Sequence, residues 1–87
     1  MNDQVELVKS KIDIVEIIGE RVILKKAGRH FKGLCPFHSE KSPSFIVSAE
    51  RQSFKCFGCQ EGGDVLTFMQ KYDGYSFLEA LEVLAKR

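Results

Sequence analysis

The 87-residue chain contains no apolar run approaching the length of a membrane-spanning helix. Met1 to Val15 mix Asp3, Glu6, Lys9, Lys11 and Asp13 among their apolar residues, so the N-terminal segment lacks the continuous hydrophobic stretch of a secretory signal. The chain therefore reads as cytosolic. Cysteine is scarce: there are three, an odd number that cannot all pair within one molecule and that a reducing compartment would not keep oxidised. No internal repeat, low-complexity run or linker breaks the sequence. These absences exclude a membrane span, a disulfide scaffold and a multi-domain chain.

What remains is one small domain. With 44% hydrophobic and 29% charged residues the composition is globular, but at this length an apolar core alone barely exceeds the entropy lost on ordering it, and some staple is expected. Net charge is only +1, unevenly spread. Arg21 to Lys55 holds eight basic and two acidic residues, a net of +6, whereas the rest holds five basic and ten acidic, a net of −5. A basic middle between acidic flanks is compatible with a polyanion bound on one face.

Hydrophobic periodicity outlines the elements. Val5, Val8 and Ile12 recur at helical spacing after Asn2 or Asp3, either of which suits a cap. Asp13 caps a second short run, Ile14 to Ile18, with Gly19 in the left-handed position that ends a helix; one bent helix would read the same way. Arg21 to Lys25 and Arg29 to Leu34 form a hairpin around Ala27-Gly28, and Ser44 to Ser48 pairs with Ser53 to Phe57 across Ala49 to Gln52. After Gly62-Gly63, Asp64 caps a helix bearing Val65, Phe68, Met69 and Tyr72 until Asp73-Gly74. Ser76 and Glu79 form a capping box for a last helix through Lys86, whose Phe77, Leu81 and Leu84 cover the sheet or the first helices. The fold class is small α+β, a zinc ribbon with a central antiparallel sheet flanked by short N- and C-terminal helices.

The ribbon assignment rests on the ligands. Cys35-Pro-Phe-His38 and Cys56-Phe-Gly-Cys59 are two pairs, each with a two-residue gap, separated by 17 residues. Such a gap lets one tight turn present both side chains to a single ion, and a set of three thiolates and one imidazole matches tetrahedral zinc better than iron or an iron–sulfur cluster. His30 is the other histidine; spacing favours His38. Four protein ligands leave no position for water or substrate, so the expectation is one structural Zn²⁺ per chain rather than a metal hydrolase. Interleaved with these residues are Phe31, Phe37, Phe45, Phe54 and Phe57 and the cations Lys25, Lys26, Arg29, Lys32, Lys41, Arg51 and Lys55. Phosphate-neutralising cations beside rings that stack on bases are how single strands are held. Phe37 and Phe54 are expected in the core; Phe31, Phe45 and Phe57 stay open.

Leu24-Lys-Lys-Ala-Gly-Arg29, Cys35-Pro-Phe-His-Ser-Glu-Lys-Ser-Pro-Ser-Phe45, Cys56-Phe-Gly-Cys59 and Gly62-Gly63 closely resemble the N-terminal zinc-binding domain of bacterial replicative primases, and the flanking Asp13 to Gly19 and Ser76 to Lys86 resemble that family too. Residues 1–87 would then be a single zinc-binding domain, the N-terminal part of a longer primase chain. The resemblance implies binding of single-stranded DNA template and selection of the site where an RNA primer begins during replication. It places the metal on Cys35, His38, Cys56 and Cys59 and nucleic-acid contact on Lys25, Arg29 and Arg51, with Lys26 and Lys41 as secondary contacts. It also implies a primase catalytic domain as partner, in cis or in trans, a replicative helicase reached through other parts of the full-length protein, and a cytoplasmic place in the bacterial nucleoid's replication machinery. No acidic cluster fit to hold divalent ions at a transferring phosphate occurs in the chain, so no catalytic residue is assigned and polymerisation falls to another domain. A second reading makes the ribbon chiefly a protein-docking module. Two departures from the family pattern stand out: Gln60 replaces a usual glycine after the last cysteine, and Asp64 a usual asparagine.

Overall fold

The structure is a computed structural model that describes residues 3–39 and 41–87. Two helices open the chain, α1 (Asp3–Ser10) and α2 (Ile14–Gly19). The cap expected from Asn2 or Asp3 involves side chains outside the described part. Asp13 caps α2 as expected, its carboxylate accepting the Val15 N–H at 3.0 Å. Gly19 is the last residue of α2, and the chain leaves through Glu20 in right-handed geometry. No left-handed turn is needed, because the Arg21 and Val22 amides follow on and both donate to the Ile18 carbonyl. That exit uses up the first part of the expected strand Arg21 to Lys25; pairing begins only at β1 (Lys25–Ala27).

β1 pairs with β2 (His30–Gly33) through a two-residue turn in which Gly28 adopts φ +66°, the glycine-first geometry that suits the twist of a hairpin. β3 (Phe45–Ser48) and β4 (Ser53–Cys56) make the second hairpin, and β2 joins β3 so that Phe31 faces Val47 across the ladder. The paired glycines, expected only as a break before a helix, form a fifth strand, β5 (Gly62–Gly63), antiparallel to β4. A Cβ on Gly62 would lie 3.0 Å from the Phe54 carbonyl oxygen and one on Gly63 2.8 Å from Thr67. Close approach on both sides is what requires two glycines here.

Two further helices follow, α3 (Val65–Tyr72) and α4 (Phe77–Ala85). Asp64 caps α3 through the Thr67 N–H, and the Ser76–Glu79 capping box starts α4. α3 lies on β4 and β5, while α4 packs on α3 and α1 rather than lying over the sheet as its own layer. Leu81 and Leu84 are buried, but Phe77 is not, which corrects its assignment to the core. Beneath α3 the rings of Phe37, Phe45, Phe54 and Phe68 interlock, with Phe54 and Phe68 edge-to-face at 5.6 Å; such pairs add about 0.5–1.5 kcal/mol beyond area burial. The described helices pack to one side, and the other face of the five-stranded sheet is open.

Candidate metal centre and nucleic-acid face

Strand ends position the four ligands. Cys35 follows β2, His38 lies three residues on, Cys56 ends β4 and Cys59 closes the turn after it. Around Cys56 the backbone is tightly held: its N–H donates to the Glu61 carbonyl at 2.8 Å, and its carbonyl accepts the Gln60 N–H at 2.8 Å. Gln60 sits at φ +67°, the left-handed region where glycine is unstrained. The departure from the family pattern therefore adds local strain, and the turn keeps its form because the Gln60 amide Nε2 donates to the Phe57 carbonyl at 3.2 Å.

The donor atoms of Cys35, His38, Cys56 and Cys59 all lie within 4.8 Å of one another. Cys35 Sγ and Cys59 Sγ are 3.7 Å apart; two thiolates on one tetrahedral zinc, each at about 2.3 Å, stand about 3.8 Å apart. Nδ1 of His38 is buried. Burial pushes the Cys35 thiol up to about 12. Burial acts on Cys56 as well, but the Cys59 and Gly58 amides and the neighbouring thiols outweigh it and hold that group below its usual value. Three thiols this close are suited to share one cation, whose binding deprotonates them to thiolate ligands. His30 stands apart, exposed on β2.

The expected mixture of rings and cations resolves into the alternation of strands. Phe45 and Phe54 are buried, Phe31 and Phe37 pack against the core, and Phe57 alone of the five is left 63% exposed. Lys25, Lys32 and Lys55 take the alternate positions, whereas Lys26 pairs with Phe31 and shares its face. Lys25, Lys32, Ile46 and Lys55 form one transverse row on the open face, and His30, Ser48 and Ser53 part of the next. Both hairpin turns lie at the same end of the sheet, because Ser48 pairs with both His30 and Ser53, and each turn carries an arginine. Arg29 and Arg51 thereby border one concavity of about 610 Å³, together with Lys55 and Phe57. Lys55 Nζ stands 5.9 Å from the centre of the Phe57 ring.

Not all the expected contact residues gather there. Lys25, Lys26 and Lys41 border a second concavity beside β1. Lys32 and Lys55, part of the interleaved set but not among the contacts the resemblance implies, alternate with Phe31 and Phe54 along their strands, Lys32 bordering the second concavity and Lys55 the first. Among the described residues none of Lys25, Lys26, Arg29, Lys32, Lys41, Arg51 or Lys55 enters an ion pair, whereas Lys9, Arg21, Lys71 and Arg87 all do. No described helix is long and apolar enough to cross a membrane.

Comparison with known proteins agrees with this geometry. The model of the CHC2 zinc finger family matches residues 1–87. A DNA primase of Halalkalibacterium halodurans is 49% identical over 85 residues, 98% of this chain and 14% of the relative. One of Clostridium acetobutylicum is 52% identical over 85 residues, with the same coverage. The crystal structure of the Aquifex aeolicus primase, comprising zinc-binding and RNA polymerase domains, superposes with a TM-score of 0.93 at 44% identity, covering 100% of this chain and 22% of that one. The chain thus spans about one seventh of the curated relatives' length. It belongs to the CHC2 zinc finger family, the zinc-binding domain of DNA primases, and Cys35, His38, Cys56 and Cys59 form the site of its one structural zinc.

Proposed function

We propose that this domain binds the single-stranded DNA template on the open face of its sheet and so helps select where a primase starts an RNA primer. The observation that carries the reading is the row of cations outside any described ion pair on that face, beside the exposed Phe57 ring. Arg29, Arg51 and Lys55 neutralise phosphates around the concavity at the hairpin turns, Lys25 and Lys32 extend the track across the sheet, and Phe57 stacks on a base. Lys26 and Lys41, bordering the second concavity, add to the positive field. The zinc has no part in chemistry; it holds the ends of β2 and β4 together so that the two arginine-bearing turns keep their spacing.

In this reading residues 1–87 act as one domain at the N-terminus of a longer primase, a DNA-directed RNA polymerase whose catalytic domain works with this one in cis or in trans. Contact with a replicative helicase belongs to other parts of that protein, in the cytoplasm at the nucleoid. Titrating fluorescent single-stranded DNA into the zinc-loaded domain at several salt concentrations tests the central claim. Affinity that falls steeply with salt is expected, with a slope of about 0.7 per neutralised phosphate; absence of binding at low salt overturns the proposal.

A further inference from the structure

The second concavity, of about 660 Å³, has a different chemistry from the first. It lies between the segment leaving α2, the edge strand β1 and the loop that precedes β3. Its floor is aliphatic, made by Val22, Ile23, Leu34 and Pro43. Ile23 is 84% exposed and Leu34 51%; Leu7 and Leu78 on the helices are exposed too, but Ile23 and Leu34 line one concavity together. Its rim is cationic. Lys25, Lys26, Lys32 and Lys41 surround the floor, and among the described residues none of the four is neutralised by a carboxylate. Arg21, also at the rim, is engaged with Asp73.

Among the described residues, neither an acidic nor an aromatic side chain lines this groove. Cations alone hold phosphates, but stacking on bases takes a flat ring; the first concavity has one in Phe57. An aliphatic floor inside a ring of ammonium groups complements a different ligand, a polypeptide segment that presents leucine- or isoleucine-type side chains between carboxylates. We propose that the groove beside β1 docks an acidic amphipathic segment of a partner protein, with Ile23 and Leu34 taking its apolar face and Lys26 and Lys41 its carboxylates. The aliphatic lining shares no residue with the Arg29–Arg51 concavity, and the two surfaces meet only at Lys25 and Lys32, which belong to both the groove and the cation track. The inference stands whether or not the domain binds template, since no residue of the apolar floor serves in that role.

The test is methyl-resolved NMR on the zinc-loaded domain with three probes: a helical peptide bearing leucines at i, i+3, i+4 and i+7 with glutamates between them, the same peptide with serines for leucines, and oligothymidylate. The leucine peptide is expected to shift the Ile23 and Leu34 methyl signals. Ile23→Ser with Leu34→Ser, both exposed and so compatible with folding, should weaken it about ten-fold or more through lost apolar burial while leaving oligothymidylate affinity within about two-fold. Equal binding of the serine peptide reduces the effect to bare charge attraction and overturns the proposal. So do methyl shifts produced as strongly by oligothymidylate, which would make the groove part of the strand track, or by rising protein concentration alone, which would seat a second copy of the chain there.

Discussion

Gln52 Oε1 accepts the backbone N–H of Ile14 at 2.8 Å, joining the tip of the β3–β4 hairpin to the first turn of α2 across 38 positions of sequence. The same side chain donates to the Ala49 carbonyl at 2.7 Å, and its own backbone holds φ +51°. One residue thus fixes both the shape of the turn that carries Arg51 and its attachment to the helices. Gln52→Ala should cost about 1–3 kcal/mol, since it leaves the partly buried Ile14 amide without an acceptor. Urea unfolding of the zinc-loaded domain measures this.

The metal should be inseparable from the fold. Metal analysis is expected to find one zinc per chain, and a chelator at neutral pH should remove it together with the native circular dichroism, because zinc contributes about 10–16 kcal/mol in comparable peptides. Cys59→Ser should lower occupancy and unfold the chain at moderate temperature. A folded protein free of metal would refute the structural role.

Phe57→Ala and the arginine substitutions should be separable by salt. Loss of the ring should weaken single-stranded DNA binding by about 1–3 kcal/mol at every ionic strength, leaving the slope of log affinity against log salt unchanged. Arg29→Ala with Arg51→Ala should weaken binding most at low salt and flatten that slope by about 0.7 for each phosphate that is no longer neutralised. Anisotropy titrations of the two variants side by side distinguish the contributions.

Asp64 joins two elements, capping α3 through the Thr67 N–H at 2.9 Å and meeting Lys9 Nζ of α1 at 3.0 Å. Burial pushes its carboxyl up, but the Thr67 amide and the Lys9 ammonium outweigh that and hold it below the usual carboxylate range. A folded value below the unfolded one means the stabilisation is complete above about pH 4 and is lost as pH falls through the folded value. Asp64→Ala should therefore cost about 1 kcal/mol at pH 7, where the zinc site is also intact; thermal unfolding of the zinc-loaded domain at that pH measures it. Asp64→Asn should keep the cap and lose the ion pair.

Local chemistry carried most of the architecture. The Ser76–Glu79 box, the Asp13 and Asp64 caps and the Gly28 turn each depend on groups within a few residues of one another, and each stands where the sequence places it. The metal centre was equally legible, since a two-residue gap dictates a knuckle whatever surrounds it. Long-range competition was not. Arg21 to Leu24 have the composition of a strand, yet the amides of Arg21 and Val22 are engaged by the end of α2. Gly62 and Gly63 have the composition of a break, yet they pair with β4.

By itself, then, the sequence determined the four ligands, the helix starts, the two hairpins and the excess of positive charge in the middle of the chain, because these follow from spacing and from neighbours along the backbone. Only the tertiary structure decided that, of the three rings left open, Phe45 is buried, Phe31 packs against the core and Phe57 meets solvent, and how the cations divide. Lys25 and Arg29 are four residues apart yet border different concavities, whereas Arg29 and Arg51 share one. The physical reason is the pairing of β2 with β3, which brings two distant turns to one end of the sheet and sends alternate side chains to opposite faces.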